Sequence, residues 1–162
     1  MMKPLINLGE ITEFDDIEEN GLYTSRRALF SAGIGAKRLG YNLTVLPPGK
    51  AQCPFHSHRA EEEMFLILEG EGELRFGPDR FPVRALDVIA CPTGGPETAH
   101  QIINTGAGDL RYLSLSTLAD VEVCEYPDSS KIGVYAGEHG ERRLRKLFRG
   151  EADVDYYDRE KT

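Results

Sequence analysis

His56 and His58 stand two residues apart, with Glu63 five residues further on. These are metal-ligating residue types at a spacing that a strand running into a turn can use. On a strand, residues i and i+2 point to one face. The two imidazoles therefore aim at one point, and a bend after His58 can return Glu63 to it. The chain holds four histidines. A third, His100, closes a turn-rich segment far along the sequence and would complete a set of three nitrogens and one carboxylate. Neutral imidazole with carboxylate suits zinc, iron, manganese, nickel or copper without singling out one. The competing reading is an exposed polar loop, with Glu61-Glu62-Glu63 as its solvated face. Residues 64–70, Met-Phe-Leu-Ile-Leu-Glu-Gly, favour the metal: they form a buried-strand run closed by glycine. A polar cluster that opens straight into such a strand suits a barrel mouth.

The chain of 162 residues, 40% hydrophobic and 28% charged, has the length and composition of one globular domain able to bury a core. Its apolar runs fall far short of the roughly 20 residues that a membrane-spanning helix needs. Residues 1–10 lack the apolar core of a signal peptide and lead into an acidic block, which predicts a cytoplasmic protein. Cys53, Cys91 and Cys124 are odd in number and show no CxxC spacing, so reduced thiols are expected. Cys53 and Cys91 lie near the candidate ligands but read as buried thiols. A net charge of −8 argues against nucleic-acid binding, which needs a basic surface. The basic run at 142–149 reads as a solvated face or as an ion-pair partner for Glu151, Asp153 and Asp155.

These residues must be positioned by a chain that punctuates itself with Gly and Pro. Residues 1–38 read as an N-terminal arm with a turn at Asn20-Gly21. Gly33-x-Gly35 lacks the strand–helix setting and the third glycine of a dinucleotide site. Residues 39–118 read as the barrel core. Leu39–Leu46 alternates as a strand and stops at Pro47-Pro48-Gly49. Further strands are predicted at 65–68, 73–76, 81–84, 86–90, 101–103 and 110–118. Pro82 marks 81–84 as an edge. Residues 77–80 read as a turn, 91–100 as a long rigid loop and 104–109 as a hairpin turn. In the 110–118 strand, Tyr112, Ser114 and Ser116 share one face and Arg111, Leu113 and Leu115 the other. Residues 119–162 read as C-terminal wrapping strands, with two short strands around a turn in 121–134. Short strands, frequent turns and no amphipathic helix give an all-β sandwich or barrel.

Gly49…His56-x-His58-x4-Glu63-x6-Gly70 resembles the first motif of the cupins, and Pro92-x-Gly94…His100-x3-Asn104 resembles their second. The likeness spans about residues 43 to 116. It implies a jelly-roll barrel, or double-stranded β-helix, with N- and C-terminal flanking extensions. It also implies one divalent transition metal ion (zinc, manganese, iron or nickel) held in the barrel mouth by His56, His58, Glu63 and His100. Glu63 keeps the family spacing to Gly70; Glu62 is the alternative. The pattern departs in three places: one extra residue separates Gly49 from His56, Leu86 stands where the second motif opens with glycine, and three extra residues separate Gly94 from His100. The longer run from Cys91 to Gly106, with Tyr126-Pro-Asp-Ser-Ser-Lys downstream, resembles a group of small bacterial cupins, some of which carry a sugar-phosphate isomerase label by analogy.

Four protein ligands leave open positions on the metal, which separates a catalytic from a structural site. The first expectation is isomerisation of a sugar phosphate, with the metal polarising a carbonyl or hydroxyl pair and a base moving a proton. Glu63 and Tyr112 are the catalytic candidates. A dianionic substrate asks for cations at the mouth, and Arg59, Arg75, Arg111, Lys37 and Arg38 are the candidates. The second expectation is an Fe(II)-dependent dioxygenase whose apolar lumen comes from Phe65, Ile67, Leu74 and Phe76. The third is a non-catalytic module that binds a small sugar or acid. Long flanks and sheet edges predict a homodimer with an exchanged strand or arm.

Overall fold

Short alternating runs broken by Gly and Pro give thirteen strands in a computed structural model that describes residues 3–138 and 142–160. They are β1 (Asp16–Asn20), β2 (Tyr23–Leu29), β3 (Leu39–Leu46), β4 (Ser57–His58), β5 (Glu63–Glu69), β6 (Glu71–Phe76), β7 (Asp79–Arg84), β8 (Val88–Cys91), β9 (His100–Ile103), β10 (Leu110–Thr117), β11 (Val121–Tyr126), β12 (Lys131–Ala136) and β13 (Leu144–Arg149). One six-stranded sheet runs β1-β2-β3-β10-β5-β8. A four-stranded sheet runs β13-β12-β11-β4, and a three-stranded one runs β7-β6-β9. Every strand pairing is antiparallel. The two smaller sheets are joined by a bridge between His56 and His100. The result is an all-β jelly roll. None of its described helices is long and apolar enough to cross a membrane.

The core lies between the walls. Leu46, Phe65, Ile67, Leu74, Ile89, Ile102, Leu110 and Tyr112 pack there, with Phe76 against them. Register decides what faces inward. Asn42 on β3 pairs with Ser114 on β10, which pairs with Phe65 on β5; one step along, Thr44 pairs with Tyr112, which pairs with Ile67. Tyr112 and Ser114 thus share the inner face, as their i, i+2 spacing predicts.

Residues 104–109 are not a hairpin. β9 pairs with β6 while β10 pairs with β3 and β5, so the segment is a corner between two sheets. Asn104 pins it: its amide donates to Leu46 O at 2.7 Å and Gly108 O at 2.8 Å, and its Oδ1 accepts from Gly106 N at 2.9 Å. Gly70 turns the neighbouring corner at φ 87, where a Cβ would meet Asp109 O at 2.6 Å. The turn at 77–80 shortens to Gly77-Pro78, since Phe76 already pairs with Asp79. Pro82 does lie on an edge strand, β7. The loop at 91–100 contains a 3-10 turn at Pro96–Thr98.

Outside this frame, Asn20 and Tyr23 pair across Gly21, so β1 and β2 form a hairpin, and β2 adds itself to β3. β11 and β12 flank a 3-10 turn at Pro127–Ser129. β13 closes its sheet with every residue exposed.

Candidate metal centre

Three backbone devices bring the candidate ligands together. His56 and His100 exchange N–H···O bonds of 3.2 and 2.8 Å, which fixes the two ligand-bearing segments side by side. His58 pairs with Cys124 on β11. The chain then bends around the buried carboxylate of Glu122, which accepts from Arg59 N at 2.9 Å, Ala60 N at 3.1 Å and Glu61 N at 2.6 Å. Val123 N donates to it as well, at 2.7 Å. This bend delivers Glu63 to the first position of β5, on the same inner face as Phe65 and Ile67. Glu62, the alternative ligand, is exposed on the other face, and its N–H donates to Thr117 Oγ1. Glu61 is buried and bound to Arg142 and Ala119 N. The acid run is therefore three residues with three fates, not one solvated face.

One ligand atom from each of His56, His58, Glu63 and His100 lies within 4.8 Å of the others. His56 Nδ1 donates to Pro54 O at 2.9 Å, leaving Nε2 with a lone pair for a metal. His100 Nε2 is 2.8 Å from Glu63 Oε2, and His58 Nε2 is 3.4 Å from the same oxygen. His58 Nε2 is buried without a hydrogen-bond partner. Its Nδ1 faces Cys124 Sγ at 3.4 Å and Glu122 Oε2 at 3.5 Å, a carboxylate–histidine arrangement that orients a ligand from behind.

The charges fit a cation. Burial, with His100 and His58 nearby, pushes His56 down to about 4, so it is neutral. Burial opposes ionisation of Glu63, but the bond from His100 and the close His58 imidazole outweigh it and hold the carboxyl well below its usual range. Burial likewise opposes charge on His58, yet Cys124, Glu122 and Glu63 together raise it far above its usual value. Without a metal, His58 thus holds a proton that a divalent ion would displace. An orphaned imidazole nitrogen, a neutral histidine and an ionised carboxylate converging on one point fit a transition-metal ion.

The cluster forms part of the lining of a cavity of about 260 Å³. Asn42, Gln52, Gln101, Tyr112 and Ser114 give it a polar wall, and Arg27 a charge. Tyr112 Oη donates to Gln52 Oε1 at 2.9 Å, and burial keeps the phenol protonated well above its usual range. Cys53 also lines the cavity as a neutral thiol, pushed up to about 12 chiefly by burial. Cys91 and Cys124 are buried, and all three thiols are free.

The cations expected at the mouth stand elsewhere. Arg59 pairs with Glu125, Arg75 grips Asp128 through bonds of 2.6 and 2.8 Å while stacking on Phe55, and Arg111 lies 3.5 Å from Glu69. None of the three lines the cavity, and Lys37 and Arg38 are exposed away from it. The basic run at 142–149 pairs through Arg142 with Glu61, and no described ion pair joins it to Glu151, Asp153 or Asp155. Of the expected apolar lumen, Phe65 alone lines the cavity; Ile67 and Leu74 are in the core and Phe76 packs against it. Arg27, Glu122 and the cavity amides Asn42, Gln52 and Gln101 escaped the sequence analysis. Arg27 could have been found from the Ser25-x-Arg27 alternation next to the Asn20-Gly21 turn. Glu122 carries no local signal, because a strand such as Val-Glu-Val looks like one with an exposed acid.

The family model for the cupin domain matches residues 42–116. A protein from Acidithiobacillus ferrooxidans proposed to be a sugar phosphate isomerase superposes with a TM-score of 0.79 at 24% identity, covering 94% of this chain and 96% of that one. A Thermotoga maritima protein predicted to be an oxalate decarboxylase is 30% identical, with a TM-score of 0.50, over 59% of this chain and 80% of that one. The oxalate-binding protein of Thermotoga maritima is 40% identical over 73 residues, 45% of this chain and 57% of that protein. The chain spans about half the length of the curated relatives it matches, from 50% to 58%.

Proposed function

This chain belongs to the cupin superfamily, and from that membership we propose that it is a metal-dependent isomerase acting on a small polar carbohydrate of the sugar-phosphate type. The observation that carries the reading is the cavity wall: amides, hydroxyls and one guanidinium face a cluster of three imidazoles and a carboxylate. Such a lining hydrogen-bonds a polyol, and although Phe65 and Ile102 also contribute to it, the convergent polar groups favour this reading over the dioxygenase. A volume of about 260 Å³ also suits a small molecule.

His56, His58, Glu63 and His100 would hold the ion, and a divalent ion there supplies Lewis-acid polarisation of a substrate carbonyl or hydroxyl pair. The rest is work for the protein. Glu122 holds His58 in place from behind. Asn42, Gln52 and Gln101 present amide donors and acceptors that orient hydroxyl groups. Tyr112 keeps its proton on Oη and would turn it from Gln52 Oε1 to a substrate oxygen. Glu63, the one carboxylate among the described lining residues, would be committed to the ion and is a weak proton acceptor.

The test is elemental analysis of the purified protein, followed by NMR of aldose–ketose phosphate mixtures with the identified metal restored. About one ion per chain and metal-dependent interconversion are expected. Tyr112→Phe should lower turnover by about 10²-fold with metal content unchanged. A protein that holds its ion and interconverts no sugar phosphate overturns the reading. A second reading, binding of a small carboxylic acid without turnover, is favoured by the oxalate-binding relative; tight oxalate binding by a catalytically silent protein selects it.

A further inference from the structure

Arg27 reaches the cavity from β2, outside the residues 42–116 that match the family model. Ser25 is buried and Arg27 half-buried, while Arg26 between them is exposed. In the strand order β2-β3-β10-β5, pairing sets Arg27 beside Thr44, Thr44 beside Tyr112 and Tyr112 beside Ile67, so Arg27 lies three strand spacings, about 14 Å, from the strand that carries Glu63 at its first position. The guanidinium is clamped from one side. Asp16, its direct cross-strand partner in the hairpin, binds Nη2. Nε is buried and has no partner. Ser114, 6% exposed and lining the same cavity, has an equally unpartnered Oγ. A fixed guanidinium with a free N–H is the group that reads an oxyanion, because its planar fork matches paired oxygens. The local charge agrees. Although the chain carries −8, Glu63 is the only carboxylate among the described lining residues, and a divalent ion with Arg27 outweighs Glu63 and Asp16 together.

We propose that Arg27, held by Asp16, is the specificity-determining residue that binds the phosphate group of the substrate, so that the N-terminal hairpin selects phosphorylated over neutral polyols. The inference rests on the isomerase reading for its choice of phosphate as the anion. The substrate class that follows is a short phosphorylated sugar, with its phosphate at the β2 wall and its vicinal oxygens at the histidine wall.

The test uses calorimetric titration of the metal-loaded protein with inorganic phosphate, and separately with oxalate. Wild type should bind phosphate, and Arg27→Gln should weaken that binding by about tenfold or more with metal content unchanged. Arg27→Lys, which keeps the charge and the pairing with Asp16 but loses the fork, should fall between them and decides the matter if Arg27→Gln does not fold. Equal phosphate affinity in wild type and either folded variant overturns the proposal, as does a wild type that binds no phosphate. Loss of oxalate binding alone in Arg27→Gln also overturns it, in favour of a carboxylate. The two readings fail separately. A phosphate effect without sugar-phosphate turnover removes the isomerase and leaves Arg27 as the anion site. Turnover with phosphate affinity indifferent to Arg27 does the reverse.

Discussion

The cavity has two walls that are held by different means. At the histidine wall the backbone does the holding: the His56–His100 bridge, the β4–β11 pairing and the four N–H groups around Glu122 fix the side chains before any ion arrives. At the opposite wall a single ion pair, Arg27 with Asp16, orients a flexible side chain on a hairpin at the end of its sheet. The glutamate at the first wall is fully buried, whereas the Asp16 side chain is 38% exposed. A metal needs its ligands placed to within tenths of an ångström, and backbone provides that. An anion-reading arginine tolerates more movement, because its fork carries the geometry with it.

The largest effect expected from this contrast is at the metal itself. His58→Ala should reduce metal content to a small fraction of the wild-type value, measured by elemental analysis after gel filtration. The variant removes one of four donors, and it also strands Glu122 and Cys124 behind an empty position. A full complement of ion in His58→Ala would dissolve the ligand assignment and, with it, the rigid wall.

Next come the two supporting carboxylates, which separate the walls most directly. Glu122→Ala leaves a set of buried N–H groups and the His58 ring without an acceptor, and should lower stability by about 3 to 5 kcal/mol. In whatever fraction remains folded, metal affinity should drop about 10- to 100-fold. Asp16→Asn removes half of a partly exposed pair and should change stability by less than about 1 kcal/mol. Denaturant melts of both variants, with metal titrations, read the difference. Comparable losses in the two would mean that the walls are held alike.

The same rigidity has a signature in pH. In metal-free protein the buried His56 titrates at about 4, against 6.5 when unfolded. The unfolded chain therefore binds the additional proton between these values. The His56 contribution is complete above pH 6.5, and stability should fall by about 2 kcal/mol as the pH is lowered from there to about 5. His58, raised above its unfolded value, is protonated in the folded state throughout that window and in the unfolded chain toward its acid end, so it adds little slope there. Its own contribution is complete below 6.5 and declines as the pH rises. Urea midpoints in a chelator-containing buffer measure the slope, and His56→Gln should flatten it. A slope unchanged in that variant would place the neutral histidine elsewhere.

What was legible follows the same division. The histidine wall could be read because its logic is local. A period of two sends His56 and His58 to one side, the run from Met64 to Leu68 marks the strand that carries Glu63, and glycine at Gly70 marks the corner that ends it. The Arg27 wall depends on β2 pairing with β3 across residues 30–38, which no local pattern announces. Glu122 depends on a contact with residues 59–61, six tens of residues away in the chain. Two of the misplaced cations adjoin an inward-facing residue, and adjacency on a strand puts them on the other face. Arg59 follows an inward His58 and so points out, to Glu125. Arg111 adjoins Tyr112 on β10, so the two cannot both face the cavity. The supposed hairpin at 104–109 failed for a related reason: its glycines signal a turn, but only the register of β9 and β10 tells which strands that turn connects.

The smallest expected effect lies at a place where the sequence departs from the family pattern. Leu86 occupies the position at which the second cupin motif has glycine, and its backbone is left-handed, at φ 75. The side chain is 80% exposed, so little packing offsets that strain, while the N–H is committed to Ile67 O at 2.8 Å and holds the conformation in place. A left-handed non-glycine residue costs roughly 1 to 2 kcal/mol, and glycine gives back about half of that as lost chain entropy in the folded state. Leu86→Gly should therefore stabilise the protein by about 0.5 to 1 kcal/mol, a rise of a few degrees in Tm for a chain of this size, with metal content and phosphate affinity unchanged. Leu86 shares its region with two more exposed apolar side chains, Val88 and Phe81. If the glycine variant is instead less stable, and the loss deepens with protein concentration, the leucine is buried against a second copy of the chain, and the strained backbone is retained for that contact.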